Sequence, residues 1–439
     1  MPRTKSGSLQ SLRRANQERL LTLLLRKGPT HRAELARRAD LSRTTVSTIV
    51  TELMARGLVV ESEGDPDADG RAKETLAVNP GAATALGLDF TFDHVWVHLS
   101  DLGHQEVAGA GRAVDTDLGW AERIDVAADL LDGLIAENGL DRSKIVGAGI
   151  GLPGPIEKST GIVSTSLPDQ PWSHVHAADE FARRLELPVA IENNTRLEAV
   201  AEAYSGAGRG VRNLMYVGLS NGIAAGLILD GRVFRGAVGA AGELGHTSIN
   251  VDGPPCACGN RGCLVLHAGI PAVLTALRPH LGPKATIEDV LAATAAGDRA
   301  CEGVLADVGS MTGRLLASLC NLLNPERIVV GGELARAGEA LLDPLRTAIR
   351  RYALTLVREV DVVPAALDLG ARAGAVGGAA LILRERPGLA AALVQMTEPA
   401  APNPAPTGDA AAAPPKTSGP RKRPNATALP PKTSDRVAE

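Results

Sequence analysis

The chain has 439 residues, 44% hydrophobic and 22% charged, which is material for two or three globular domains with sizeable cores. No stretch approaches the roughly 18 uninterrupted apolar residues of a membrane-spanning helix, and the basic start MPRTKSGSLQSLRR leads into no signal-peptide pattern, so a cytoplasmic protein without membrane contact is expected. The net charge of −4 hides an asymmetry: residues 1–60 hold 12 Lys and Arg against 4 Asp and Glu, whereas the remainder holds 34 against 46, which points to a polyanion partner for the head alone rather than a merely solvated helix surface.

In chain order, Leu20, Leu23 and Leu24 give a helical apolar face that Gly28-Pro29 stops, and HRAELARRAD is a short second helix. LSRTTVSTIVTELMARG follows with Ser42 as N-cap, Val46, Ile49, Val50 and Leu53 facing inward, and Gly57 as the stop. Its opposite face carries Arg43, Thr44, Thr45, Ser47 and Thr48. LVVES and ETLAVN read as two strands around EGDPDADGRAK, completing a helix-turn-helix with a wing over residues 1–80. The second helix of such a unit enters the major groove with its N-terminal end, which makes Arg43, Thr44, Thr45, Ser47 and Thr48 the expected DNA contacts, joined by Arg71 and Lys73 from the wing. Asp65, Asp67 and Asp69 keep part of that loop away from phosphate. Small three-helix units also serve as protein docking modules; the basic excess favours DNA.

From residue 81 to 385 the pattern is that of an α/β body. ALGLDFTF, HVWVHLSDL and EVAGAGRAV are expected strands, followed by a helix through Ile124 to Glu137. KIVGAGIGLPGPI is an apolar strand running into a Gly/Pro turn, and the β-branched run PVAIE leads into Asn193, Asn194 and a helix. LMYVGLSNGIAAGLILDGRVF supplies two further strands and RIVVGGEL another, again ending in glycines, where ligands approach backbone in such folds. Residues 386–439 turn to Ala and Pro, with PPKTS at 414–418 and 430–434, and read as a disordered tail; its Arg421–Arg423 run is a solvated charge cluster with weak nucleic-acid affinity at most.

Five cysteines in so long a chain are no disulfide framework, but three of them fall within GELGHTSINVDGPPCACGNRGC. His246, Cys256, Cys258 and Cys263 make one imidazole and three thiolates, a closed tetrahedral zinc set with no place for catalytic water. A Cys256–Cys258 disulfide would be strained. Structural zinc is expected, holding Glu243 and His246 in one pose, although C-x-C-G-x-x-G-C is not the commonest finger spacing.

GELGH followed by CACGNRGC, the GLPGPI turn at 151–156, IENN at 191–194 and IVVGGEL at 328–334 together resemble the ROK family of repressors, open reading frames and sugar kinases, over roughly residues 10–385. The winged head resembles the repressor branch. The resemblance implies a two-lobed actin-like ATPase/sugar-kinase fold with a sugar cleft between the lobes, zinc on His246, Cys256, Cys258 and Cys263, and sugar contacts from Asn193, Glu243 and His246; the Asn194 amide is a further candidate to bind a sugar hydroxyl. Fixed amides and carboxylates of this kind reject the wrong epimer strongly.

Four departures from the kinase pattern set the expected function. Asp89 to Asp93, DFTFD, stands where family kinases have Asp-x-Gly-Gly-Thr, so close backbone approach to phosphate is lost. SNGIAAG, Ser220 to Gly226, keeps only part of the second glycine turn. Asn194 stands at the position of the catalytic Asp, and an amide cannot accept the proton of an attacking hydroxyl. Leu264-Val265 replaces the Leu-Glu that often follows the last zinc cysteine. The expected protein is therefore no enzyme and has no catalytic residue. It is a DNA-binding regulator of carbohydrate-related genes, a repressor, acting on a palindromic operator as a homodimer or homotetramer and sensing a sugar or sugar phosphate. The alternatives are a ligand-independent regulator with a degenerate cleft and an ATP-dependent sugar kinase.

Overall fold

The computed structural model describes residues 6–66, 72–164, 171–366 and 372–397. The head opens with helix α1 (Ser6–Lys27), which buries Leu20, Leu21 and Leu24. Helices α2 (Arg32–Ala39) and α3 (Arg43–Ala55) form the helix-turn-helix. α3 begins where the Ser42 hydroxyl oxygen accepts the N–H of Thr45 at 3.1 Å, a cap worth about 1 kcal/mol. It buries the expected Val46, Ile49, Val50 and Leu53, and the chain turns away at Gly57, whose φ of +68° suits a residue without Cβ. Strands β1 (Val59–Pro66) and β2 (Ala72–Val78) pair antiparallel with Val59 opposite Val78. Asp67, Asp69 and Arg71 at the wing tip lie outside the described residues.

The body repeats one strand order twice. The first half comprises β3 (Thr84–Phe90), β4 (His94–Asp101), β5 (Glu106–Ala113), α4 (Trp120–Asn138), β6 (Ile145–Leu152), α5 (Ala177–Leu185), β7 (Val189–Asn193) and α6 (Asn194–Ser205). The second comprises β8 (Leu214–Leu219), β9 (Ile223–Leu229), β10 (Arg232–Val233), α7 (Val265–Ala268), α8 (Ile270–Leu281), α9 (Ile287–Ala295), α10 (Arg299–Leu323), β11 (Arg327–Gly331), α11 (Glu339–Tyr352) and β12 (Asp361–Pro364). The sheets run β5-β4-β3-β6-β7 and β10-β9-β8-β11-β12: in each an antiparallel meander is extended by two parallel strands. This duplicated arrangement is the actin-like sugar-kinase fold that the resemblance implies.

Between the sheets lie α6 and helix α12 (Ala373–Glu385), packed on each other, α12 against β3, β4 and β6, α6 against β8 and β9. The fit is backbone to backbone: a Cβ on Gly87 would stand 1.7 Å from the carbonyl oxygen of Ala375. Outside this sandwich, Leu86, Leu88 and Ile150 form the first core with Ile124 and Leu131 of α4, and Met215, Val217, Ile328 and Val330 form the second with Leu316 of α10 and Leu345 of α11. The pairing of α10 with α11 was not read from the sequence.

One expectation is corrected. The tail does not begin at 386, because Leu389–Met396 forms helix α13, which buries Leu389, Ala390, Leu393 and Val394 in the same apolar cluster as Leu20, Leu21 and Leu24 of α1. Averaged composition hid the i, i+1, i+4, i+5 spacing of these four residues, and the helix gains burial only because α1 offers a surface for it. That cluster also takes in Ala85 of β3, Val146 of β6 and Ile382 of α12, so the head is docked on the first lobe. Residues 398–439, including both PPKTS copies, lie outside the described residues.

Candidate DNA-reading face, cleft and metal loop

On α3, Arg43, Thr44, Ser47 and Thr48 are exposed. Thr45 is half-buried with its hydroxyl 2.8 Å from that of Ser42, so it is engaged in the cap. Thr51, which the sequence reading omitted although it continues the row at i+4 from Ser47, is also exposed. Several head cations are already matched: Arg13 with Glu52, Arg32 with Glu61, and Arg37 and Arg38 with Glu34, whose carboxyl the Arg37 hydrogen bond, then Arg38, hold down to about 2. Arg43 has no ion-pair partner among the described residues and sits at the positive end of the α3 dipole, where a phosphate is favoured. Lys73 lies in β2.

In the cleft, β7 delivers Asn193 and Asn194 to the start of α6. Asn193 donates to the Gly154 carbonyl at 3.0 Å and accepts the Arg196 N–H at 3.2 Å, tying the GLPGPI turn to the helix start. Beneath it, Glu192 accepts from the Asn193 backbone, from Arg196 at 2.6 Å and from Arg235 at 2.5 Å; Arg235 continues to Glu385 at 3.0 Å. Both Glu192 and Arg196 are buried, and this pairing satisfies charges that burial would otherwise expel. The Glu-x-x-x-Arg spacing was visible in ENNTR but went unused.

Asn194 donates its amide to Asp89 Oδ1 at 2.7 Å and to the Phe90 carbonyl at 3.1 Å. Burial, then the nearby Glu198, push the Asp89 carboxyl well above the usual carboxylate range. Gly374 of α12 leaves room for it, since a Cβ there would lie 2.4 Å from the carboxylate. An Asp at 194 would therefore face a second carboxyl at hydrogen-bonding distance.

Of the two turns that the resemblance assigns to phosphate, the first is bonded to a buried cation and the second is bordered by carboxyl groups. In the first, the carbonyls of Thr91 and Phe92 accept from the buried Arg123 guanidinium at 3.2 and 3.0 Å, while Phe90 packs edge-on against Trp172 at 5.1 Å. In the second, the Ser220 hydroxyl bonds to Glu333, and burial pushes the neighbouring Glu198 up to about 7, against the pull of its hydrogen bond from Tyr216. Glu198, Tyr216 and Glu333 had no sequence signal, because their partners are 18 or more residues away, and the Thr91 and Phe92 carbonyls bound by Arg123 lie 32 and 31 residues before it.

Glu243 and His246 lie on a 3-10 turn, and burial raises the Glu243 carboxyl against the opposing charges of His246 and Arg196. His246 Nδ1 stands 3.6 Å from Cys256 Sγ, Cys258 Sγ stands 3.6 Å from Cys263 Sγ, and all four donor atoms lie within 4.8 Å of one another. Bonds of about 2.3 Å to sulfur and 2.0 Å to nitrogen give a tetrahedron with edges of roughly 3.5–3.8 Å, so the set fits one zinc ion and is too open for a disulfide. Burial and the adjacent thiols push Cys263 up to about 12; three thiolates need a cation among them.

A ROK family model matches residues 126–385, more than half of the chain. The chain belongs to the ROK family. A MarR family model matches residues 14–72, the helix-turn-helix head of this ROK chain. The xylose repressor of Bacillus subtilis is 28% identical over 373 residues, covering 85% of this chain and 96% of the repressor. A glucokinase of Halalkalibacterium halodurans is 33% identical over 273 residues, 59% of this chain and 82% of the kinase. The crystal structure of a ROK family transcriptional regulator, a homologue of the Escherichia coli Mlc protein, superposes with a TM-score of 0.73 at 25% identity, over 88% of this chain and 99% of that one. Among the described residues no helix is long and apolar enough to cross a membrane.

Proposed function

We propose that this ROK protein is a sequence-specific DNA-binding transcriptional repressor of carbohydrate-related genes, responding to a sugar or sugar derivative in a cleft that does not transfer phosphate. The observation that carries this reading is a winged helix-turn-helix whose Arg43 has no ion-pair partner among the described residues, docked on a ROK body over nearly the full length of a xylose repressor. Arg43, Thr44, Ser47 and Thr48, with Thr45 ordering the helix start, read the major groove, and Arg71 and Lys73 serve the wing. One α3 reads too few bases for specificity, so a homodimer or homotetramer on a palindrome is proposed, in the cytoplasm. Asn193, Asn194, Glu243 and His246 are the ligand contacts. Structural zinc on His246 Nδ1 and the three thiolates would fix the turn that carries Glu243 and leave His246 Nε2 for ligand.

The kinase alternative draws on the glucokinase relative, but a general base normally contributes on the order of 10²–10⁴-fold, and Asn194 supplies none. With hexoses, pentoses and ATP, no sugar-dependent ADP release is expected; release above background would make the protein an enzyme. The direct test is selection of genomic fragments at two salt concentrations. An enriched palindrome near carbohydrate genes is expected, and purely salt-sensitive, sequence-blind retention would refute the reading. Replacing Arg43 by Ala should weaken the selected site by about 1–3 kcal/mol if the guanidinium reads a base, or lower the salt slope by about 1 if it meets a phosphate.

A further inference from the structure

We propose that the α12–α13 segment couples the cleft to the DNA-reading helix, with Arg56 as the positioning residue; this rests on the proposed function and assigns the regulation of the same cleft. At its cleft end α12 leaves space with Gly374 for the Asp89 carboxylate, which is bonded to Asn194 at 2.7 Å. Along its length α12 is packed at backbone distance on the first lobe, through Ala375 on Gly87 of β3 and Gly377 on the Leu197 carbonyl of α6, and its Ala380 shares a buried cluster with Tyr216 and Val329 of the second sheet. A helix seated this way on both lobes has to shift when the lobes rotate, because close-packed backbone surfaces do not deform continuously.

The far end of the same segment reaches the head. Arg386 bonds to the Val146 carbonyl, Gly388 turns the chain with a φ of +72°, and α13 buries its apolar face with that of α1. There Arg56, the C-cap of α3, donates to the Val394 carbonyl and to the Thr397 hydroxyl at 3.1 Å. The recognition helix is thus tied to the last turn of α13, and also to α1 through Gln17 and Glu52 at 2.8 Å. From Asn194 to Arg56 the path is continuous: an amide–carboxylate bond, a glycine-faced helix, one turn and a guanidinium. A sugar that binds one lobe arrangement more tightly would reposition α3 by this route, and the coupling is limited to its differential affinity for the two arrangements.

The test needs no identified ligand, because Asn194→Asp sets a second carboxyl against Asp89 and perturbs the cleft directly. Amide hydrogen exchange is measured on the full chain for wild type, Asn194→Asp, Arg56→Ala and the double variant. The expected result is at least fivefold faster exchange in α13 and the C-terminal half of α3 in Asn194→Asp, with the α3 increment absent on the Arg56→Ala background. Unchanged exchange in α13, or an α3 increment that persists without Arg56, would overturn the proposal. Asn194→Ala and Thr397→Ala serve as milder variants if the first pair folds poorly. Anisotropy titration of the wild type with genomically selected DNA is run in parallel. Loss of specific binding there refutes the DNA-binding reading, while the exchange data still decide whether the cleft and α3 are coupled.

Discussion

The two halves of the body share one strand order but not one turn chemistry. At the β3–β4 turn the carbonyls of Thr91 and Phe92 are gathered by Arg123, a guanidinium 1% exposed that also bonds the carbonyls of Asp115, Thr116 and Leu118. At the corresponding β8–β9 turn Ser220 is bonded to Glu333, with Glu198 close by. One turn is closed by a cation bonded to backbone and the other is rimmed by carboxyls. The sheets persist regardless, because each is held by its own apolar core rather than by its turn. The two turns therefore differ in chemistry while the architecture of the two halves stays the same.

The comparison breaks most visibly at Arg123. Arg123→Ala strands five carbonyls at once and should destabilise the protein by about 4 kcal/mol in urea unfolding; a cost under about 1 kcal/mol would mean that the first turn does not depend on this cation. The zinc proposed for the cysteine loop would fasten the second lobe. Cys258→Ala should lower the metal content from one zinc per chain to near zero and the stability by on the order of 3 kcal/mol, and full metal retention would remove the assignment.

Glu198 sharpens the contrast through pH. The folded protein holds a proton on Glu198 up to about pH 7, whereas the unfolded chain releases it near 4.5, so this contribution is full below 4.5 and is lost as pH rises through 7. Asp89, also raised, acts in the same direction. Glu198→Gln should accordingly be about 2 kcal/mol more stable than wild type at pH 8 and nearly equal at pH 5; equal stability at both pH values would show that the carboxyl is not buried as described. The smallest effect is expected from Ser220→Ala, about 0.5–1 kcal/mol for one hydrogen bond near the surface.

Periodicity and capping made the head legible: Ser42, the row Val46, Ile49, Val50 and Leu53, and Gly57 each act locally, and each is found where its spacing places it. The clustering of His246, Cys256, Cys258 and Cys263, a set that could hold a metal, was legible for the same reason, since the three cysteines lie within a few residues of one another. The cleft was legible only in part. Asn194 could be recognised as a residue that cannot act as a base, but not as the partner of Asp89, 105 positions earlier. Arg123 and α13 were missed because a buried cation and an alanine-rich helix acquire meaning only from what they pack against.

By itself, then, the sequence determined the local elements, the family and the chemical types present: hydroxyls and one arginine on α3, three thiols and an imidazole in one loop, an amide in place of a carboxylate. Tertiary structure alone decided which of these groups are free and which are spent, because ion pairing, desolvation and backbone contact arise between segments far apart in the chain. It left Arg43 without an ion-pair partner among the described residues, used Asn194 on Asp89, filled the first turn with Arg123, and turned a stretch that reads as tail into a helix joining the cleft's central helix to the head.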